Sequence, residues 1–429
     1  NNNGLFKLRI EDTDKLRSKS IYVDEIRDAL IWLGLKWDGD IEFQSKNIIY
    51  HIEIVDYLLK NKNAYKCYCT KEQIEADRKL AYEKKKPYLY NGRCRDLKDT
   101  NNLNKPFVIR VKSPKDGVTK LNDKVLGKVT VKNENIDDFI ILRTDRTPTY
   151  MLSVVADDKK MSITDVIRGD DHLTNTFKQI ILFDLLKWKL PNFSHIPLIH
   201  GADGNKLSKR HGAVNVTSYR EEGYLSKAFN NYLLRLGWGY KDKEIFSDTE
   251  ATKLFDIKGI GKSPARFDKK KLDYLNSYYI RNVEWKSLIK ESPFKEISKE
   301  LLKNKISDKV IKLFRERAES LADIVLGLKY MLSDNYKLTD EAKNIITDAN
   351  FNLLKIATDR IDNLNDWSSE KIGNLIKVLA LENNVKVYEI AAPLRASITG
   401  QKYSPSIFLI IEYLGKERVI QRLKKTFCM

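Results

Sequence analysis

Residues 161–199 read MSITDVIRGDDHLTNTFKQIILFDLLKWKLPNFSHIPLI, and their hydrophobic period changes twice. Met161–Ile167 and His195–Ile199 have the short apolar runs of strands. Between them Phe177, Ile180, Ile181 and Leu185 recur at the spacing of one helical face, which predicts a helix over Thr174–Leu186. Strand, helix and strand in succession form the crossover unit of a parallel sheet.

The same rhythm opens the chain. Leu5–Ile10 (LFKLRI) alternates apolar and polar residues like a strand and runs into the charged turn Glu11-Asp12-Thr13-Asp14. A helix follows, with Ile26, Ala29, Leu30 and Leu33 on one face and Gly34 to end it, and then a second helix over Ile48–Lys60. Phe139–Leu142 adds a strand. The predicted class is α/β, a doubly wound parallel sheet over residues 1–60 and 133–216. Residues 61–132 interrupt it with a helix (Glu72–Lys84), a cysteine cluster and strand-like runs at Phe107–Val111 and Val125–Val131, and read as an inserted α+β domain. Beyond Val216 the spacing turns helical, as at Leu225–Leu236, Val310–Phe314, Ile372–Leu381 and Ser406–Leu414.

The 429 residues suit about three domains at roughly 150 residues each, and 42% hydrophobic content excludes global disorder. No apolar run approaches the roughly 18 residues of a membrane span. With four cysteines and no signal segment, a soluble chain of the reducing cytoplasm is expected. The net charge of +18 points to a polyanionic partner, and its distribution says where. Residues 1–60 carry 9 basic and 11 acidic side chains, whereas residues 61–130 carry 18 and 8. Tyr65, Tyr68, Tyr82, Tyr88 and Tyr90 stand among those lysines, a composition suited to stacking single-stranded RNA bases and following phosphates.

After the last predicted strand comes Gly201-Ala-Asp-Gly-Asn-Lys206-Leu-Ser208-Lys209-Arg210-His-Gly212. Composition alone makes it a solvated basic turn. Its order, K-L-S-K-R, resembles the KMSKS loop of class I aminoacyl-tRNA synthetases, whose mobile lysines neutralise charge as pyrophosphate leaves. Four segments, Arg9-Ile-Glu11-Asp12-Thr-Asp14, Pro148-Thr-Tyr150, Asp165-Val-Ile-Arg168-Gly-Asp170-Asp171-His172 and Lys206–Arg210, stand in the order and spacing that resemble bacterial glutamyl-tRNA synthetases. The late Ala392-Pro393-Leu394-Arg395 and Leu414-Gly415-Lys416-Glu417-Arg418 extend the likeness over nearly the whole chain.

The resemblance implies a Rossmann-like catalytic domain, an inserted domain (61–132) holding the tRNA acceptor end, a helical stem-contact domain (217–285) and a helical anticodon-binding domain (286–429). It implies ATP-dependent ligation of L-glutamate to tRNA(Glu) through glutamyl-adenylate, with Mg2+ accompanying ATP, by a monomer. Glutamate carries one ammonium and two carboxylates, so its pocket needs an anion and an Arg. Glu11, Tyr150 and Arg168 match the family's glutamate-binding residues, and Lys206, Ser208 and Lys209 its ATP loop. Singly, Glu11 reads as a helix-cap acid, Tyr150 as a core aromatic and Arg168 as a surface ion pair; in register they read together. Phe314-Arg315-Glu316-Arg317 resembles the segment whose arginine reads an anticodon base, and Arg317 is the one expected to do so.

Cys67-x-Cys69, 24 intervening residues and Cys94-x-Asp96 offer two close pairs, the pattern of a tetrahedral zinc site, against the alternative of half-buried thiols. Some members of the family it resembles carry a structural zinc of this form at this place, which implies Cys67, Cys69, Cys94 and Asp96 as the ligands, with Asp a harder, weaker donor than His or Cys. The chain departs from the family in lacking a HIGH-type motif before Arg9, and it has no initiator Met. The expectation is a longer natural protein carrying that loop and an early substrate-binding Arg, with these 429 residues nearly inactive in activation yet able to bind tRNA.

Two other enzymes resemble it. The glutaminyl enzyme has β-barrel anticodon domains, against the helical spacing here, and the glutamyl-queuosine paralogue is shorter. A non-catalytic tRNA-binding paralogue is the alternative of another class; the intact Glu11, Arg168 and KLSKR speak against it.

Overall fold

A computed structural model describes residues 3–13, 20–97, 105–207, 215–291, 293–294, 299, 308–334 and 336–427. The chain forms two compact units, one of residues 1–217 with 230–268, the other of residues 218–229 with 269–429.

In the first unit, parallel pairing occurs twice. β1 (Arg9–Ile10) pairs with β2 (Glu42–Phe43), and β8 (Asp165–Gly169) pairs with β9 (Asn192–Ile196) from Asp165↔Asn192 to Gly169↔Ile196. The second pair, with helix α5 (Leu173–Leu185) between its strands, is the expected crossover unit. Register moves β9 three residues earlier than its apolar run suggests, because Phe193 and His195, not Leu198, point inward and are buried.

The remaining strands pair otherwise than in the expected parallel sheet. β7 (Ile140–Leu142), expected in the parallel sheet, instead pairs antiparallel with β4 (Val108–Val111), which pairs with β3 (Ala64–Cys67). β5 (Val118–Asp123) and β6 (Gly127–Lys132) form a hairpin. One core joins these layers: Val55 and Leu58 of α2 (Ile48–Lys60), Val111 of β4, Ile141 of β7, Leu152 of α4 (Tyr150–Lys160) and Phe177 of α5. The inserted segment therefore shares a hydrophobic core with the parallel elements.

The first helix, α1 (Ser20–Trp32), buries no residue, and Ile26, expected on its core face, is 47% exposed. The two-residue strands β1 and β2 offer little surface to cover it. Helix α3 (Lys71–Glu83) begins on a capping box, Thr70 with Gln73, one residue before its predicted start.

The second unit has helices and no strand among its described residues, as the spacing predicts. Helices Leu321–Leu332, Ser369–Glu382, Val387–Thr399 and Ile407–Leu414 bury Leu328, Ile376, Leu394 and Ile410 completely. No helix among the described residues is long and apolar enough to cross a membrane.

Candidate active site

Open α/β sheets expose ligand-binding loops at the carboxyl ends of their parallel strands, and Glu11, just past β1, and Arg168, near the end of β8, sit there. Arg9 in β1 donates from Nη1 to Asp158 of α4 at 2.8 Å and from Nη2 to Glu11, just past the strand, at 3.2 Å. Tyr150 opens α4, and its hydroxyl lies 3.3 Å from Arg168 Nη1 and 3.1 Å from His172 Nδ1. Burial raises the Tyr150 pKa and lowers that of Arg168, while the negative charges of Glu11 and Asp158 oppose loss of the proton from both. The fold thus brings Glu11, Tyr150 and Arg168 into one electrostatic cluster, an anion beside a half-buried guanidinium.

Four residues that fix Arg168 escape a motif reading. Its Nη2 donates to Thr176 Oγ1 at 2.5 Å and to Gln179 Oε1 at 2.7 Å, and its Nε faces His195 Nε2 at 3.4 Å. His195 Nδ1 lies 2.7 Å from Asp123 Oδ2. The available signal was Thr176 and Gln179, two polar residues three apart on the buried face of an apolar helix.

Beyond β9 the chain turns back tightly: Leu207 N–H donates to Ile199 O and Gly201 N–H to Asn205 O, with Gly204 at φ +79° supplying a left-handed position. Lys206 emerges from this turn, largely exposed, with Nζ 2.9 Å from Asp171 Oδ2. That hydrogen bond holds the Asp171 carboxyl below its ordinary pKa. Lys206, which opens KLSKR, is thereby tied to Asp171 near the end of the DVIRGDDH segment. Ser208, Lys209 and Arg210 lie outside the described residues.

The thiols of Cys67, Cys69 and Cys94 lie within 4.8 Å of one another, with Cys69 and Cys94 Sγ 3.6 Å apart. The fourth expected donor does not join them. Asp96 is 88% exposed and pairs with Lys112 at 3.6 Å, because the turn at 93–96 carries its side chain outward. Tyr90 takes the place instead: its hydroxyl is 3.4 Å from both Cys67 and Cys69 Sγ, and accepts from Cys94 N–H at 3.0 Å. Burial works to raise the Cys67 thiol, yet the Tyr90 hydroxyl, the Cys69 N–H and Arg110 together hold it below its ordinary value; Cys69 is pushed up to about 11, chiefly by burial. Three convergent thiols and a phenol oxygen suit a zinc-sized ion.

The tyrosines of the insert separate by burial. Tyr65 and Tyr90 belong to the core, Tyr65 donating to Asp138 at 2.8 Å, which corrects their reading as RNA-stacking surface, while Tyr68 is half-buried beside Phe107. Tyr82 is 84% exposed.

In the helical unit, Arg315 and Arg317 have opposite fates. Arg315 donates to Ile280 O, Arg281 O and Val283 O, capping the end of helix Lys269–Asn282. Arg317 makes one longer bond, to Ser404 O at 3.3 Å, and lines a cavity of about 290 Å³ with Phe314, Gly327, Tyr330 and Tyr403.

Residues 1–274 match the family of class I tRNA synthetases (E and Q), catalytic domain, and residues 280–427 match an anticodon binding domain. The chain is 42% identical over 434 residues to the glutamate–tRNA ligase 2 of Rickettsia akari, covering 99% of this chain and 92% of that one. It is 44% identical over 430 residues to the glutamate–tRNA ligase 1 of Orientia tsutsugamushi, with coverage of 98% and 90%. Among solved structures it is similar to a glutamate tRNA ligase from Elizabethkingia meningosepticum in complex with its amino acid, at a TM-score of 0.79 and 31% identity, covering 100% of this chain and 93% of that one. The chain belongs to the glutamate–tRNA ligases, class I aminoacyl-tRNA synthetases with a helical anticodon-binding domain.

Proposed function

We propose that the chain joins L-glutamate to the 3′ end of tRNA(Glu) in two steps, first forming glutamyl-adenylate with loss of pyrophosphate, then transferring the glutamyl group to the terminal ribose hydroxyl with loss of AMP. The observation that carries this reading is the convergence of Glu11, Tyr150 and Arg168. Glu11 meets the substrate ammonium. Arg168 meets a carboxylate, and Tyr150 shares that ligand. Arg168 has five N–H groups, and four have partners among the described residues, leaving one on Nη1 beside Tyr150. The carboxylate is thus received at one guanidinium N–H and the neighbouring phenol rather than by a two-pronged Arg.

Lys206, Ser208 and Lys209 surround the departing pyrophosphate, and release of Lys206 from Asp171 frees its ammonium to approach. Mg2+ bound with ATP supplies further charge neutralisation on the phosphates. Catalysis is positioning and electrostatics, with no covalent enzyme intermediate. Residues 61–132 meet the acceptor end, with exposed Tyr82 a stacking surface. Arg317 and the aromatic cavity beside it receive an anticodon base, the role from which backbone capping removes Arg315. Zinc held by Cys67, Cys69, Cys94 and Tyr90, in place of Asp96, cross-links β3 to the turn at 90–95 and is structural.

Amino-acid selectivity tests this reading. Calorimetric titration with glutamate, glutamine and aspartate, in the presence of tRNA(Glu) and a non-reactive ATP analogue, is expected to show glutamate bound at least tenfold more tightly than either. Glutamine bound as well as glutamate would overturn it.

A further inference from the structure

Asp123 and His195 are buried completely at their side chains, yet neither belongs to any motif of the active site. Asp123 ends β5, at the tip of the β5–β6 hairpin, and its two oxygens divide their main bonds, with Oδ1 also accepting from His195 N–H at 3.3 Å. Oδ1 accepts from Val125 N–H at 2.9 Å and Leu126 N–H at 2.8 Å, closing the hairpin turn. Oδ2 accepts from His195, from its backbone N–H at 3.1 Å and its Nδ1 at 2.7 Å. The carboxylate is below its ordinary pKa, because those hydrogen bonds outweigh the upward push of burial.

A carboxylate at 2.7 Å fixes the proton on His195 Nδ1. Nε2 is then a lone pair, and it faces Arg168 Nε–H at 3.4 Å and the Thr176 hydroxyl at 2.8 Å, whose one proton has a second acceptor in His172 O at 3.1 Å. Thr176 Oγ1 in turn accepts from Arg168 Nη2. Phe193 holds the pair from below, its ring stacked at 10° to the imidazole and lying 5.4 Å from the Arg168 guanidinium. One proton position on His195 therefore determines whether the Nε side of Arg168 meets an acceptor or another donor.

We propose that His195 is a positioning residue for Arg168, and that Asp123, carried by the hairpin, sets the tautomer that makes it one. This rests on the reading of Arg168 as the donor to the glutamate carboxylate. Asp123→Asn is the discriminating change. The Asn oxygen can keep both turn bonds at Val125 and Leu126, while its NH2 replaces Oδ2 and faces Nδ1 and the His195 backbone N–H, which keeps its 3.3 Å contact to the oxygen. The imidazole proton must then move to Nε2, where it meets Arg168 Nε–H donor to donor.

The experiment is 15N–1H NMR of the histidine-labelled protein with calorimetric glutamate titration, on wild type, D123N, H195F and R168A, each with a thermal melt. The expected results are an Nδ1–H tautomer at His195 in wild type, an Nε2–H tautomer in D123N, and a glutamate Kd raised about tenfold in D123N and in H195F. H195F removes the Nε2 acceptor and also the Nδ1–H that Asp123 Oδ2 accepts, so its melt is read beside its Kd, and the wild-type tautomer reports even if neither variant folds. A lowered melting temperature with unchanged Kd in folded D123N or H195F, or a wild-type His195 protonated on Nε2 alone, overturns the proposal. R168A separates the two levels: if it leaves glutamate affinity unchanged, the reading of Arg168 itself is what fails.

Discussion

Asp157 shows what a buried charge needs in this protein. It is fully buried on α4 and accepts from Gln44 Nε2 at 3.0 Å, Asn47 Nδ2 at 2.9 Å and His51 Nε2 at 2.9 Å. Burial pushes its pKa up, but these bonds bring it below the ordinary carboxylate value. A depressed folded pKa contributes stability that is present above the unfolded value near about 3.9 and lost as pH falls through the folded value. Asp157→Asn cannot accept from all three donors, and is expected to cost about 2–3 kcal/mol at pH 7. Urea unfolding at pH 7 and pH 3 checks this, and the gap between wild type and variant should narrow at pH 3. Gln44, Asn47 and His51 recur at helical spacing within eight residues, but Asp157, which they meet, stands more than a hundred residues further on, so the pairing appears only through tertiary packing. Glu11, Tyr150 and Arg168 were singled out through the resemblance of their motifs, each alone reading as an ordinary residue, and the fold brings the three together.

Among elements, periodicity identified those with one clean apolar face and missed those without. Helix α5 and α2 were read nearly to the residue. Helix α4 was not, because Ser153, Asp157 and Asp158 are buried beside its apolar residues and erase the stripe, so the helix that carries Tyr150 had no helical signal. β7 was read as a strand but given the wrong partner, since three apolar residues do not specify parallel or antiparallel pairing. The cysteine cluster failed at its fourth member for a similar reason: spacing locates Asp96 near Cys94, and only the turn geometry shows that its carboxylate points to Lys112 while Tyr90 points inward. Metal content therefore discriminates the two. Tyr90→Phe is expected to lower bound zinc, by elemental analysis, at least several-fold, and Asp96→Ala to leave it unchanged; chelation should loosen the 64–95 segment in hydrogen exchange.

At the scale of the whole molecule, the charge of +18 is the property most open to two readings, a solvated lysine surface or a tRNA footprint. The two differ in how binding responds to salt. A footprint releases counterions in proportion to the phosphates it neutralises, so log K falls linearly with log salt concentration. If residues 61–130, with their 18 basic against 8 acidic side chains, engage an acceptor end while the Arg317 surface engages an anticodon, about four to six phosphates are neutralised. Between 50 and 200 mM salt the affinity for tRNA(Glu) should then drop about 100- to 1,000-fold. Filter binding across that range measures it directly. Arg317→Ala should weaken binding of tRNA(Glu) with little change in the slope, because a base-reading contact inside a cavity is not a phosphate contact; a slope near zero for the wild type would return the surplus charge to the solvated surface.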